Sequence, residues 1–226
     1  MKHEIDYNKI DVWSKHMESI FCGVENYKTT AYLNWGLHNS LSMEEQLFYM
    51  SKEYFQAADL VLTTCIEDNG DKKADKLCLP CMFLINHGIE LSLKAINIYL
   101  CYLLQEENDK LCHNLQNLVM STINRLNRLK DSYVNMFGAK EFDKYIIGIE
   151  LVKNFIDNIY ENTKDMSFTR YPFDKEYDPM YYLLDDDCKT VNMELLDEQF
   201  NYVRDMLDKT FCFIDEIKSS AKAELS

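Results

Sequence analysis

The chain is short of the residues that interrupt regular structure. Its 226 residues include only six glycines and three prolines. Sandwiches and barrels of β-strands need many turns, and glycine and proline supply most of these, so the scarcity argues against both architectures. Hydrophobic residues, by contrast, make up 47% of the chain, which is ample for a packed core. We therefore predict a globular all-α protein with long helices.

Positive charge is also scarce. Lysine and arginine total 24 against 38 aspartates and glutamates, which gives a formal net charge of -14. Such a charge disfavours broad adhesion to nucleic acid or to an anionic membrane, so any such contact must be local. The opening residues, MKHEIDYNKIDVW, have neither the basic nor the apolar region of a signal peptide. We expect a cytoplasmic protein whose eight cysteines are reduced.

Capping and turn residues place the first two helices. Residues 42–45, Ser-Met-Glu-Glu, match a capping box and predict a helix over about 43–66. Residues 67–76 are polar and contain Asn-Gly, which indicates a loop. A second helix is expected over about 77–104, with Pro80 in its first turn, where proline is tolerated.

Apolar residues at helical spacing predict three more helices, over about 115–129, 142–159 and 193–217, the last capped by Asn192. Residues 164–189 break the pattern and are rich in aromatic and acidic side chains. We expect a long ordered loop there, with a short strand near Met180 to Leu183.

These elements predict an antiparallel bundle of about five or six long helices with one long aromatic and acidic loop. We expect a single domain over residues 1–226, with the helical core at about 43–217. The first forty residues give a weaker pattern. Four apolar residues there suit a further helix: Trp13, Met17, Ile20 and Phe21.

The second predicted helix carries a narrow polar stripe on an otherwise apolar surface. At about 100° per residue, five side chains fall within roughly 80° of one another. They are His87, Glu90, Lys94, Asn97 and Cys101. Such residues would be costly inside a bilayer, so we predict no membrane span.

Two interpretations of the stripe remain open. It is either a thin solvent-facing edge, with Glu90 and Lys94 as a weak ion pair, or a polar seam that faces a neighbouring helix, a cleft or a second subunit. In a seam, the buried charges must be paired to offset desolvation. Paired and shifted groups of this kind are typical of acid–base or phosphate-binding sites.

Three segments, FLINHGIELSLKA, HNLQNLV and TRYPFD, together resemble bacterial all-helical proteins related to the HEPN superfamily. In those proteins a helix reading H-x-x-E-x-x-x-K-A is followed by an H-[DN]-L helix start and an R-Y-P-x-D segment. The similarity covers about residues 82–174. It implies a homodimer with an RNA- or nucleotide-directed role, such as a nuclease or nucleotidyl-transfer protein of a toxin or defence system.

The usual ribonuclease signature of that superfamily is absent. It requires an arginine followed four to six positions later by a histidine. All four arginines of this chain follow its last histidine, His113: Arg125, Arg128, Arg170 and Arg204. Cleavage by the usual metal-independent mechanism is therefore not expected, and a non-standard or metal-dependent ribonuclease is the enzymatic hypothesis.

A different set of residues could form the site. His113 and Asn114 open a helix, whose free N–H groups and dipole attract phosphate. Arg170 carries a planar fork suited to phosphate. We assign catalytic roles to His87, Glu90, Lys94 and His113, and substrate binding to Asn114, Arg170, Tyr171 and Asp174. The alternative is purely structural, with His113 and Asn114 as a helix cap and Arg170 and Asp174 as a salt-bridged loop clasp.

Other candidate sites are weaker. Cys78 and Cys81 have thioredoxin-like spacing, but no strand precedes them, so we interpret them as core cysteines. Asp185, Asp186 and Asp187 could gather a divalent cation, although a solvated acidic turn is favoured. We therefore predict no metal site and no cofactor.

Charge is uneven along the chain. Residues 113–144 contain five lysines and arginines against three acidic residues, or +2. Residues 165–216 contain five against fourteen, or -9. Bound RNA should follow the first region, whereas the second would equally suit a basic protein partner. Two function classes thus stay open, namely a HEPN-like phosphodiesterase or nucleotide-transferring protein and a catalytically inactive module for dimerisation or partner docking.

Overall fold

The computed structural model describes residues 27–33, 40–107, 112–163, 166–183 and 189–224. The chain divides into two compact units, Met1–Gly36 and Leu37–Ser226. The described part of the first unit contains one 3-10 helix, Tyr27–Thr29. The helix predicted around Trp13 to Phe21 lies outside the described residues.

The second unit is an all-α antiparallel bundle, as predicted. Its described residues form five long helices rather than six. They are α1 (Met43–Glu67), α2 (Lys73–Leu104), α3 (Leu115–Phe137), α4 (Ala139–Asn162) and α5 (Met193–Glu224). Within the described ranges, none of the helices combines the length and the apolarity needed to cross a membrane.

The start of α1 confirms the predicted capping box. The Ser42 hydroxyl accepts from the backbone N–H of Glu45 at 3.4 Å, and the Glu45 carboxylate accepts from the Ser42 N–H at 2.7 Å. The buried side chains of α1 recur every three or four residues and so form one face. That face packs on α2, where Gly88 lies so close to Phe55 that a Cβ atom would approach the ring to 2.4 Å.

The central helix, α2, contacts α1, α3 and α5. It begins at Lys73, four residues before the predicted start. Pro80 is therefore inside the helix and about two turns from its beginning, so its predicted first-turn position is wrong.

Side chains in the preceding loop explain the early start of α2. The Asn69 side chain accepts from the N–H of Ala74 at 2.9 Å, and Lys73 pairs with Asp68 at 2.8 Å. Burial of Ala74 adds an apolar contact in the first turn. These local interactions outweigh the hydrogen bond that proline cannot donate.

The later helices follow their apolar patterns. Gly138, with φ of 82°, connects α3 and α4 as a single-residue link. The side chain of Asn192 caps α5 by accepting from the N–H of Leu195 at 3.1 Å, as predicted.

The segment between α4 and α5 is irregular, but the strand predicted near Met180 to Leu183 is wrong. Residues Tyr181–Leu183 form a 3-10 helix, and the only β-type pairing in the described part of this segment is a bridge between Phe173 and Pro179. A second 3-10 helix, Met166–Thr169, packs against α2. Phe168, 1% exposed, anchors that turn in the core. The three aspartates at 185–187 lie outside the described residues.

Candidate functional site

The polar stripe of α2 faces α3, so the interpretation as a solvent-facing edge is wrong. Asn97 is fully buried, and its amide nitrogen donates to the Leu118 carbonyl at 3.2 Å and to the Thr122 hydroxyl at 2.8 Å. Both acceptors belong to α3. The stripe is therefore a polar seam between two helices.

A buried arginine completes the inner part of the seam. Arg125, 7% exposed, donates through Nη1 to the Asn97 side-chain oxygen at 2.9 Å. Its Nε donates to Glu106 at 3.0 Å. The guanidinium charge is thus paired inside the bundle, as a buried charge must be.

At its outer end the seam holds a carboxylate with two partners. The Glu90 Oε1 lies 2.7 Å from the Lys94 Nζ and 2.8 Å from the His113 Nδ1. The Glu90 and Lys94 side chains are only 15% and 12% exposed. Burial by itself would raise the pKa of Glu90, but the hydrogen bonds from Lys94 and His113 outweigh it and hold that pKa below its ordinary value. Glu90 is consequently an anion at neutral pH.

Glu90 fixes the orientation of His113. The Nδ1 of His113 also lies 3.5 Å from Lys94, but the 2.8 Å contact with the carboxylate is the shorter and stronger of the two. A carboxylate only accepts, so Nδ1 carries the proton and donates it. In the neutral ring Nε2 is then the proton acceptor. His113 is 87% exposed and therefore accessible to a substrate.

His87 is held by aromatic rings rather than by the carboxylate. Its Nδ1 is 3.8 Å from the Glu90 Oε2, which is too long for a hydrogen bond. Its ring meets Tyr54 edge-on, with centroids 4.5 Å apart, and lies parallel to Phe83 at 5.8 Å. His87 therefore supplies a fixed and partly exposed imidazole.

The 3-10 turn brings Arg170 to the same place. Burial of Phe168 anchors the turn, and the Arg170 N–H donates to the Ser167 carbonyl at 2.8 Å. The guanidinium lies 5.5 Å from the centre of the Tyr171 ring, a distance suited to a cation–π contact. Among the described residues, no acidic group forms an ion pair with Arg170, so the predicted clasp with Asp174 is not formed.

These elements enclose a cleft of about 420 Å³ beside α2. Its lining comprises Phe83, Asn86, His87, Glu90, His113, Leu115, Thr169 and Arg170. Four of the predicted site residues thus share one cleft: His87, Glu90, His113 and Arg170. Lys94 does not line it and instead supports Glu90 from within the seam.

Neither protein-family models, curated proteins nor solved structures match the chain. The resemblance to HEPN proteins accordingly stays a prediction that rests on three short segments. Any function must be inferred from the residues of the cleft.

The other predicted substrate-binding residues have local structural contacts. The Asn114 side chain caps α3 by accepting from the N–H of Asn117 at 2.9 Å. Asp174 accepts from the N–H groups of Glu176 and Asp178 and so closes its own loop. Neither Asp174 nor Tyr171 lines the cleft.

Four residues of the lining were missed by the sequence reasoning: Phe83, Asn86, Leu115 and Thr169. Asn86 lies about 20° from Asn97 around the helix, beside the stripe. Its position next to the stripe was the available signal. Phe83 precedes His87 by one turn and carried no signal beyond its place in an apolar helix.

The cysteine interpretation agrees with the structure. Cys81 is fully buried, and burial raises the pKa of its thiol to about 12, the opposite of a reactive cysteine. Burial also raises the pKa of Cys78. Within the described residues, no group of three histidine, cysteine or acidic side chains could hold a metal ion.

Proposed function

We propose that the cleft beside α2 binds a phosphate group of RNA or of a nucleotide and carries out acid–base chemistry on it. The observation that supports this most directly is the convergence of Glu90, His113 and Arg170 from three separate segments. A purely structural cap or loop clasp would not require these side chains to share a cleft.

The charges of the cleft suit an anion. Arg170 offers a guanidinium without an acidic partner among the described residues, and Lys94 balances Glu90 from within the seam. Leu115, the first residue of α3, also lines the cleft, so the positive end of that helix dipole adds to the attraction. This local field exists in a chain whose overall charge is -14, which agrees with local rather than broad contact with nucleic acid.

The pairing of Glu90 with His113 suits general base catalysis. With Nδ1 held by the carboxylate, Nε2 can accept the proton of an attacking hydroxyl, and the resulting imidazolium is stabilised by Glu90. In RNA cleavage the ribose 2′ oxygen would form a bond to phosphorus while the bond from phosphorus to the 5′ oxygen breaks. His87 is the second imidazole of the cleft and would protonate the leaving oxygen. Arg170 would stabilise the charge on the phosphoryl oxygens.

A panel of labelled RNAs, incubated with and without divalent metal, tests this function. We expect cleavage by the natural chain, with 2′,3′-cyclic phosphate ends, and a loss of about 10²-fold or more in His113→Ala. Arg170→Gln should also lose activity. Arg204→Gln is the matched control, because Arg204 is 38% exposed, does not line the cleft and lies outside residues 113–144, which bound RNA is expected to follow. Equal cleavage by all four proteins would refute the proposal. The absence of cleavage would also refute it if the natural chain binds neither nucleotides nor RNA.

A second candidate function is a catalytically inactive module that pairs with another copy of the chain. Two apolar side chains on α4 favour it, since Ile147 and Leu151 lie one turn apart and are 55% and 39% exposed. Light scattering of the natural chain and of Ile147→Glu would test it. A dimer that the substitution dissociates, combined with no cleavage and no nucleotide binding, would favour this candidate over the first.

A further inference from the structure

The cleft contains a buried amide that has no hydrogen-bond partner among the described residues. Asn86 is 5% exposed, and within the part of the chain that the structure describes neither its Nδ2 nor its Oδ1 has a hydrogen-bond partner. Buried polar groups in proteins are nearly always paired, because an unpaired one loses its bonds to water without replacement. A ligand that offers both a donor and an acceptor could therefore pair with Asn86.

Aromatic and apolar side chains line the cleft beside this amide. Phe83 lies one turn before Asn86 and His87 on the same face of α2, and its ring plane is within 4° of that of His87. Leu115, at the start of α3, also lines the cleft. An amide edge beside a half-buried aromatic ring suits a planar heteroaromatic ligand, which can stack and pair at the same time.

Smaller occupants fit the amide less well. A phosphodiester offers only acceptors, so it could satisfy Nδ2 but not Oδ1. A peptide group offers both, but it would leave Arg170 and the exposed His113 at the mouth without an anion. A nucleotide satisfies both ends of the cleft, with its base at Asn86 and its phosphate at Arg170.

We infer that the cleft includes a nucleobase subsite, in which Asn86 pairs with the edge of an adenine and Phe83 provides the stacking face. The adenine 6-amino group would donate to Oδ1, and the ring N7 would accept from Nδ2, the pairing that asparagine makes with adenine elsewhere. This inference rests on the proposed function, since it names the substrate class of the same cleft. The volume of about 420 Å³ lies within the usual range for small-molecule sites. Both amide atoms are shielded from water, so binding must include a small side-chain shift that admits the base edge.

Calorimetric titration with four ligands tests the subsite. The ligands are AMP, purine riboside 5′-monophosphate, ribose 5-phosphate and inorganic phosphate. The second ligand differs from AMP only in lacking the 6-amino group, so it removes the donor to Oδ1. We expect the natural chain to bind AMP about tenfold or more tightly than each of the other three ligands, which lack either the whole base or its 6-amino group.

Variants separate the two ends of the cleft. In Asn86→Leu the preference for AMP over purine riboside 5′-monophosphate should disappear, while the affinity for ribose 5-phosphate stays unchanged. In Arg170→Gln all four ligands should bind more weakly, with the preference for AMP retained. Asn86→Ala provides a second substitution should leucine not be accepted.

The outcomes distinguish this inference from the proposed function. Equal affinity of the natural chain for AMP and ribose 5-phosphate would overturn the base subsite and leave phosphate binding intact. A parallel loss of affinity for all ligands in Asn86→Leu would also overturn it. No binding of any ligand, with no binding of RNA, would refute the proposed function itself.

Discussion

Replacement of Asn86 by leucine should stabilise the protein in the absence of ligand. Leucine has nearly the shape of asparagine but no polar atoms, so it removes a buried amide that lacks partners among the described residues. Each unsatisfied buried polar group costs about 1–3 kcal/mol, and the more apolar leucine adds a favourable burial term that local crowding partly offsets. We expect a net gain of about 1–3 kcal/mol in the free energy of unfolding.

Asn97 provides a matched control on the same helix. It is also buried, but its amide is fully engaged with Leu93, Leu118, Thr122 and Arg125. In Asn97→Leu the Arg125 charge would lose its bond to the amide oxygen, so this variant should be destabilised by about 2–4 kcal/mol. Both variants carry the same change from asparagine to leucine, but their effects on the free energy of unfolding should have opposite signs.

Urea unfolding and thermal melts of the three proteins measure the difference. For a chain of this size, each kcal/mol shifts the melting temperature by about 2–4 °C. Asn86→Leu should therefore melt a few degrees above the natural chain, and Asn97→Leu well below it. Equal destabilisation by both substitutions would mean that the Asn86 amide is already satisfied in the free protein, and the reasoning that assigns it to a ligand would be refuted.

Two further predictions concern α2. Because the pKa of Glu90 is lowered, its ion pairs stabilise the fold above the ordinary carboxyl pKa, and this contribution is lost as pH falls through the depressed value. Glu90→Gln should consequently lower the free energy of unfolding at pH 7, with a difference from the natural chain that shrinks in urea titrations at progressively acidic pH; a constant difference would contradict the assignment. Gly88→Ala should lower stability by about 1–2 kcal/mol, because the new methyl group meets the buried ring of Phe55 and this crowding exceeds the gain in helix propensity. A melting temperature equal to or above that of the natural chain would show that the ring moves aside without cost.

The sequence predicted the helices well because their signals are local. The capping box at Ser42 and the cap at Asn192 each depend on side chains within three residues of the backbone that they bind. The start of α2 was misplaced for the opposite reason. Asn69 and Asp68 reach across the loop to the first helical turn, and a polar composition does not reveal such contacts. Near Met180 a short apolar run predicted a strand, but the chain forms a 3-10 helix there. A short apolar run does not distinguish between the two.

The candidate site was only partly predictable. Helical geometry placed His87, Glu90 and Lys94 on one side of α2, but the partner helix and the approach of Arg170 depend on tertiary packing, above all on the burial of Phe168. That Asn86 has no hydrogen-bond partner in the described part of the chain is a property of the folded structure and cannot be read from the order of residues. Of the five ionisable groups, His87, Glu90, His113 and Arg170 share the cleft, whereas Lys94 contacts Glu90 from within the seam.

In the seam between α2 and α3, the ionic group of Glu90, Lys94 and His113 is most exposed to solvent at His113. Inward of Lys94 the seam is blocked by Asn97 and Thr122, which are both completely buried and bonded to each other. The most exposed member of the Glu90 cluster is His113, whereas Glu90 and Lys94 are largely covered. A ligand that covers the His113 imidazole would therefore remove most of the contact between this ionic group and bulk water.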